Sequence, residues 1–418
     1  MTMFGLSENE IAPLLAALAG RDIDREAQEQ IFARAFWTGI AEPGDRMAGV
    51  LVSALGAPES LRLVLAEPAP QLLLDRLRES GADIVTAEEA TKALERWAPR
   101  VTSDAAVLAL RQAARVDARL LVPGDELWPT GLDDLEQHAP PALWVRGTDA
   151  ALAALSRSIA LVGARAATGY GEHVTMEAAA GLVDRGYAIV SGAAYGIDGM
   201  AHRAALASRG MTIAFLAGGV DRFYPSGHDA LLGRISTEGA VISELPCGQP
   251  PTKWRFLQRN RLIAAASLAT VVIEAGWRSG SLNTAGHAST LGRPLGAVPG
   301  PVTSAASAGC HRLIRDFTAL CVTNPDEMAE LAPLPGSAEA DTGAAGTGEN
   351  AEGGRGQTSD TTRLLDALSI RAPRDTADVA ARSGLSLSTV RALLGQLALE
   401  GAVAERERGW VKVVRTAQ

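Results

Sequence analysis

Lys253, Arg255, Arg259 and Arg261 lie within nine positions of the stretch PTKWRFLQRNRLIAAAS and lead straight into the apolar run 262–266. Clustered cations are the electrostatic footprint of polyanion binding, and the planar guanidinium fork matches the oxygens of a phosphate. At the mouth of a buried helix such charges oppose the backbone dipole, which already places partial positive charge there. An anion completing the site removes that conflict. Between residues 253 and 315 eight basic residues, those four with Arg278, Arg293, Arg312 and Arg315, meet one acid, Glu274, although the whole chain carries a formal charge of −9. Trp254 and Phe256 interleave with the cations and offer ring faces for an unpaired base, or serve as ordinary core rings.

Groups of this kind need elements to hold them. From Ser158 onward short apolar runs (SIALVGA, YAIVSGAA, MTIAFLAGG, AVISELP, ATVVIEAG) alternate with helical segments. This is the pattern of a parallel sheet covered on both faces, whose ligands bind at the carboxyl ends of the strands. Glycine-rich loops follow four of the runs: VGARAATGYG, SGAAYGIDGMAH, AGGVDRFYP and GWRSGSLNTAG. Their backbone amides at Gly163, Ser191, Gly192, Gly196, Gly218, Gly219 and Gly280 can approach an anion, and Ser279, Ser281 and Thr284 add hydroxyl donors. Arg165, directly after the first run, can reach into the same pocket. Tight turns alone would also use these glycines. GARAATG lacks the glycine spacing of the dinucleotide fingerprint and no Walker A element occurs, so neither NAD nor ATP chemistry is expected, and no cofactor is assigned. Asp198 and His202, four apart on one helix, could meet as an acid–base pair. They read equally as an N-cap and a packed histidine, with no third partner or nucleophile. Metal-ligand spacing is absent among the six histidines and three cysteines.

A length of 418 residues calls for two or three domains. Residues 1–100 read as a small helical domain and 119–332 as the sheet-containing core, with two short extended pieces (119–132 and 140–147) leading into it. Residues 333–358, rich in glycine and acids, read as a flexible linker, and 359–418 as a winged helix. Three scattered cysteines, no apolar run of transmembrane length and no signal-peptide pattern suit a cytoplasmic protein without a membrane partner.

LVGARAATGYG, IVSGAAYGIDGMAH, TIAFLAGGVDRFYP, VISELPCGQPPTKWRFLQRNRLIAA and VVIEAGWRSGSLNTAGHA follow one another in an order and spacing that resembles the DNA-processing protein A (DprA, or Smf) family. The resemblance implies an α/β fold with an extended Rossmann-like parallel sheet. It implies a non-catalytic, cytoplasmic protein that binds single-stranded DNA, forms a homodimer and loads the recombinase RecA during natural transformation. Carried over by motif, the DNA contacts are Arg165, Lys253, Phe256 and the R-N-R element Arg259, Asn260 and Arg261. The chain departs from the family pattern at Tyr195, where arginine is usual, at 226–230 and in AGCHRLIRDFTA. Two other classes remain open at this stage. One is a nucleotide phosphoribohydrolase-like enzyme using Glu274, and the other is a nucleotide-sensing regulator whose winged helix reads duplex DNA.

Overall fold

Runs such as SIALVG (158–163) and ATVVIE (269–274) place apolar side chains at successive positions, so the strands they form must be covered on both faces. The computed structural model, which describes residues 2–82, 84–334 and 359–413, shows how this is done. A two-stranded antiparallel ribbon, β1 (Thr2–Met3) and β2 (Leu6–Ser7), opens the chain. After seven helices and a short 3-10 turn between Glu8 and Arg115 come β3 (Arg119–Leu121), β4 (Leu143–Gly147), β5 (Ser158–Gly163), β6 (Ala188–Ser191), β7 (Thr212–Phe215), β8 (Ala240–Ser243), β9 (Ala269–Glu274), β10 (Leu295–Ala297) and β11 (Leu320–Cys321). These nine strands form one sheet in the order β11-β10-β9-β5-β6-β7-β8-β4-β3.

From β11 to β8 all neighbours are parallel, as the strand–helix alternation requires. The two extended pieces upstream do more than lead into the core: β4 pairs antiparallel with β8, and β3 antiparallel with β4, so the sheet is mixed. An antiparallel partner needs no crossover helix to reach its place, which is why no helical pattern announced these strands. The chain steps from β5 through β6 and β7 to β8, then returns to lay β9 on the other side of β5. The carboxyl ends of β5 and β9 therefore part at a topological switch point, where open α/β sheets have their crevice.

Alternate residues serve opposite faces. Ile159, Leu161, Ile189, Val271 and Ile273 pack beneath the helices Gly169–Asp184 and Ile197–Ala207. Ala160, Val162, Val190, Phe215 and Val272 pack beneath Lys253–Ala266 and Ser281–Thr290. The β4, β7 and β8 end of the sheet is covered by the amino-terminal helices: Trp144, Ala214 and Val241 share one apolar cluster with Phe36, Trp37, Leu51 and Trp97. Trp144 Nε1 donates to Thr38 Oγ1 at 3.0 Å across this boundary.

Three helices, Asp360–Ala367, Thr376–Ser383 and Leu387–Leu399, precede the hairpin β12 (Val403–Arg406) and β13 (Gly409–Lys412) in the order of a winged helix. They enclose their own core of Leu364, Val379, Val390, Leu394 and Val403. The module docks through contacts that include the following. Arg100 Nε donates to the Ala381 carbonyl at 2.8 Å, the Arg363 guanidinium lies 5.0 Å over the Trp254 ring, and Asp366 accepts from the backbone N–H of Lys253 at 3.1 Å. From residue 335 the segment read as a linker lies outside the described residues. Among the described residues no single helix is long and apolar enough to cross a membrane.

Candidate nucleic-acid interface

Thr252 caps the helix Lys253–Ala266, its side chain accepting from the N–H of Arg255 at 3.3 Å. With that start fixed, the helix points its cations in different directions. Arg255 is buried and grips Glu42, its Nε and Nη2 donating to the two carboxylate oxygens at 3.2 and 2.8 Å. Arg100 donates to the same carboxylate, so one buried acid serves two guanidinium groups. Arg261 is paired with Glu244 at 2.5 and 2.6 Å and is 3% exposed. Arg259 donates to the backbone carbonyls of Gly192, at 2.6 Å, and Phe215. Burial pulls the Arg259 pKa down to about 10, against the opposing pull of Asp198, and Arg165 lowers it further.

These findings correct part of the expected contact set. Arg259, Asn260 and Arg261 are buried; Arg259 and Asn260 are engaged internally, and Arg261 pairs with Glu244 through Nη2, while its Nε and Nη1 have no hydrogen-bond partner among the described residues. The Asn260 amide donates to the Gly280 carbonyl at 3.3 Å and to Asn283 at 3.2 Å. Most of the cation excess is matched by carboxylates distant in sequence or just outside the window: Glu42, Glu244, Asp134 for Arg293, and Asp316 for Arg312 and Arg315. The conflict at the helix mouth is relieved by the protein's own acids, with Asp366 at the N–H of Lys253. Ser191 is buried with its hydroxyl on the Leu161 carbonyl at 2.7 Å, and Ser281 and Thr284 are buried as well.

Most of the loop glycines answer to loop packing. A Cβ on Gly192 would stand 2.4 Å from the Arg259 guanidinium; on Gly163, 2.5 Å from Ile197; on Gly218, 2.9 Å from the Pro251 nitrogen; on Gly219, 2.5 Å from Asp221. Gly196, at φ +76°, would bring its Cβ within 2.2 Å of the Ala164 carbonyl oxygen. Only Gly280 of the expected set faces open space.

What reaches the surface is narrower and better defined. Arg165 and Lys253 are exposed, as is Arg278, and among the described residues none of the three has a carboxylate partner. The Arg165 guanidinium lies 5.1 Å over the Phe256 ring, whose other neighbours are Arg259 at 5.9 Å and Tyr224 at 5.5 Å. The loops after β5 and β7 thus meet the start of the helix at one ring, with Ser279 and Gly280 on the loop after β9.

The carboxylate Glu274, at the end of β9, is a strut. Its oxygens accept from the Thr168 N–H at 2.9 Å and the Thr168 hydroxyl at 2.7 Å, which pins the loop after β5 across the switch point. Glu274→Gln replaces one acceptor by a donor facing Thr168. It is expected to cost about 1–3 kcal/mol in urea unfolding, without creating or abolishing release of free base from mononucleotides. Asp198 and His202 do not pair: Asp198 accepts from the N–H groups of Gly192 and Ala194 at 3.2 and 3.4 Å, while His202 Nδ1 meets the Thr212 hydroxyl at 2.7 Å. Burial lowers the His202 pKa to about 3, so its ring is neutral. Among the described residues no cluster of three or more His, Cys, Asp or Glu could hold a metal ion.

Sequence reasoning assigned no contact to two groups. Glu42 gave no signal, since nothing local marks an acid 213 positions from its arginine. Tyr170, Tyr195, Tyr224 and Trp277 are the exposed aromatics among the described residues. Their signal was present, because each sits in one of the glycine-rich stretches and not in an apolar run.

Residues 119–333 match the model of the DNA recombination-mediator protein A family, and residues 349–407 that of the DprA winged helix domain. The DNA processing protein DprA of Mycobacterium tuberculosis H37Rv is 43% identical over 311 residues, covering 72% of this chain and 74% of that protein. Protein Smf of Escherichia coli K12 is 41% identical over 212 residues, 50% of this chain and 56% of that protein. The X-ray structure of DNA processing protein A from Streptococcus pneumoniae aligns with a TM-score of 0.57 at 28% identity, covering 73% of this chain and 98% of that one.

Proposed function

Since the chain belongs to the DNA recombination-mediator protein A (DprA) family, we propose that the carboxyl edge of its sheet binds single-stranded DNA and delivers it to the recombinase RecA. One observation carries this reading: Arg165, Lys253 and Arg278 are exposed cations without a carboxylate partner among the described residues, Arg165 lying over the half-buried Phe256 ring, Lys253 opening the helix that carries that ring and Arg278 on the loop after β9. Cations that the protein does not neutralise itself are free to hold phosphates, and the ring accepts a base. A duplex keeps its bases paired and stacked on one another and so gives up the contact with the ring, and it binds more weakly. The protein adds no chemical step of its own. Two copies pair through their sheets, so that one strand bridges both edges and gains effective concentration.

The test compares oligo-dT with duplex in a mobility-shift titration across salt concentrations. At ~0.7 counterions per phosphate for single strands, removing two phosphate contacts is expected to flatten the log–log salt slope by about 1.4. Arg165→Ala with Lys253→Ala should show that flattening and lose roughly 10- to 100-fold in affinity. Unchanged binding by the double variant would falsify the assignment. The same variant is expected to abolish the protein's acceleration of RecA filament growth on a single strand, and sedimentation of the native protein should report a dimer.

A further inference from the structure

The chain has 18 aromatic residues, counting Phe, Trp and Tyr. Four of them, Tyr224, Tyr195, Tyr170 and Trp277, are 42–57% exposed, and the others are buried or half-buried. Their distribution is not scattered. Tyr224 follows β7, Tyr195 follows β6, Tyr170 follows β5 and Trp277 follows β9, and in the sheet those strands are consecutive neighbours, β7-β6-β5-β9. The connection that follows each of four adjacent strands thus presents one ring, from a loop for Tyr224, Tyr195 and Trp277 and from the first turn of the helix Gly169–Asp184 for Tyr170.

Each ring is also held. Tyr224 leans on Phe256 at 5.5 Å, and Tyr195 meets His228 edge-on at 4.9 Å while its hydroxyl accepts from the Gly227 N–H at 3.3 Å. The Tyr170 hydroxyl donates to the Pro299 carbonyl at 2.6 Å, and the Arg312 guanidinium lies 5.2 Å over Trp277. A ring fixed by such a partner and exposed elsewhere is a stacking platform that loses little freedom on binding. Isolated exposed aromatics on a surface would need no explanation, but one per strand along the edge that also carries Arg165 and Arg278 does.

We infer that these four rings form a base-stacking track, along which a single strand runs across the strand ends, perpendicular to the β-strands, with one base on each ring. The inference rests on the proposed binding of single strands at this edge and adds the strand's direction, its footprint and four contact residues. Neighbouring strands lie ~4.8 Å apart, so three steps from β7 to β9 span about 14 Å. The bound strand stacks its bases on protein, which a base-paired duplex cannot do.

The test uses the full chain with two probes carrying the same number of phosphates, a dT oligonucleotide and a strand of abasic residues. The native protein is expected to bind dT more tightly than the abasic strand. Tyr195→Ala and Trp277→Ala should each weaken dT binding about 5- to 150-fold, the range for one base–aromatic stack. They should leave abasic binding and the salt slope unchanged, and Trp277→Phe should restore affinity. Quenching of Trp277 fluorescence by dT and not by the abasic strand adds support. Equal affinity for the two probes overturns the track while leaving phosphate binding at the edge intact. Loss of both probes to the same extent in the alanine variants, with an altered salt slope, assigns these side chains a structural role and overturns it as well. Failure of the native protein to bind either probe removes the track together with the function it rests on.

Discussion

Glu42→Ala is expected to destabilise the protein by about 3–5 kcal/mol, the range for removing one partner of a buried ion pair. The reason lies in the count of charges around it. Arg255 and Arg100, both buried, converge on this carboxylate from the sheet domain and from the amino-terminal helices. Alanine leaves both guanidinium groups in a low-dielectric interior with only carbonyl and amide partners, at Gln249 and Pro250 for Arg255 and at Ile40 and Ala381 for Arg100. Urea unfolding followed by tryptophan fluorescence measures the loss. The pH dependence gives an independent check. Burial works to raise the Glu42 pKa, but Arg255 and Arg100 outweigh it and hold the carboxyl at about 2, below its ordinary 4.5. A depressed folded-state pKa contributes stability that is complete above the unfolded value and is lost as pH falls through the folded one. The native protein should therefore lose roughly 3 kcal/mol between about pH 4.5 and pH 2 from this group, and Glu42→Ala should lack that component. A variant as stable as the native chain at pH 7 would mean the two arginines find other partners at no cost.

Gly196→Ala and Gly280→Ala should separate the two uses of glycine on the sheet edge. Gly196 has φ +76° and ψ −129°, a region closed to side-chain-bearing residues, and a Cβ there would lie 2.2 and 2.5 Å from the carbonyl oxygens of Ala164 and Arg165. Strain of about 1–3 kcal/mol and overpacking of about 1–3 kcal/mol together predict a loss of about 2–6 kcal/mol, with the loop after β5 displaced. Gly280 has ordinary helical angles and open space around its missing Cβ. Alanine there is expected to leave stability unchanged or raise it by about 0.4–1 kcal/mol, while weakening single-strand binding if a backbone passes over that loop. Thermal melts and dT titrations of the two variants give opposite patterns: one loses its fold, the other only affinity. Equal melts for both would remove the packing explanation of Gly196.

The parallel part of the sheet was legible because buried strands leave an unambiguous trace: SIALVG and ATVVIE are apolar at nearly every position, and glycine-rich loops mark their carboxyl ends. The location of the cation cluster was equally plain. Which cations face outward was not. Arg255, Arg259 and Arg261 differ from Lys253 only in where a helical turn points them, and in whether Glu42, Gly192 or Glu244 waits there. Those partners lie 213, 67 and 17 positions away, and no local pattern in one sequence encodes such pairings. The antiparallel strands β3 and β4 were read as extended but not as sheet, because their register depends on β8. Glycine loops announced where the backbone is crowded, but crowding by Ile197, Arg259 or Pro251 looks the same in sequence as room left for a ligand.

The shared cluster beneath Trp144 bears on how the chain can be dissected. A fragment cut to begin near residue 119, where the family match starts, strips Thr38 from Trp144 and Glu42 from Arg255 in a single excision. Such a fragment retains every strand of the large sheet yet bares an apolar flank and strands an interior cation. That fragment is expected to unfold at a lower urea concentration than the same sheet with its amino-terminal helices attached.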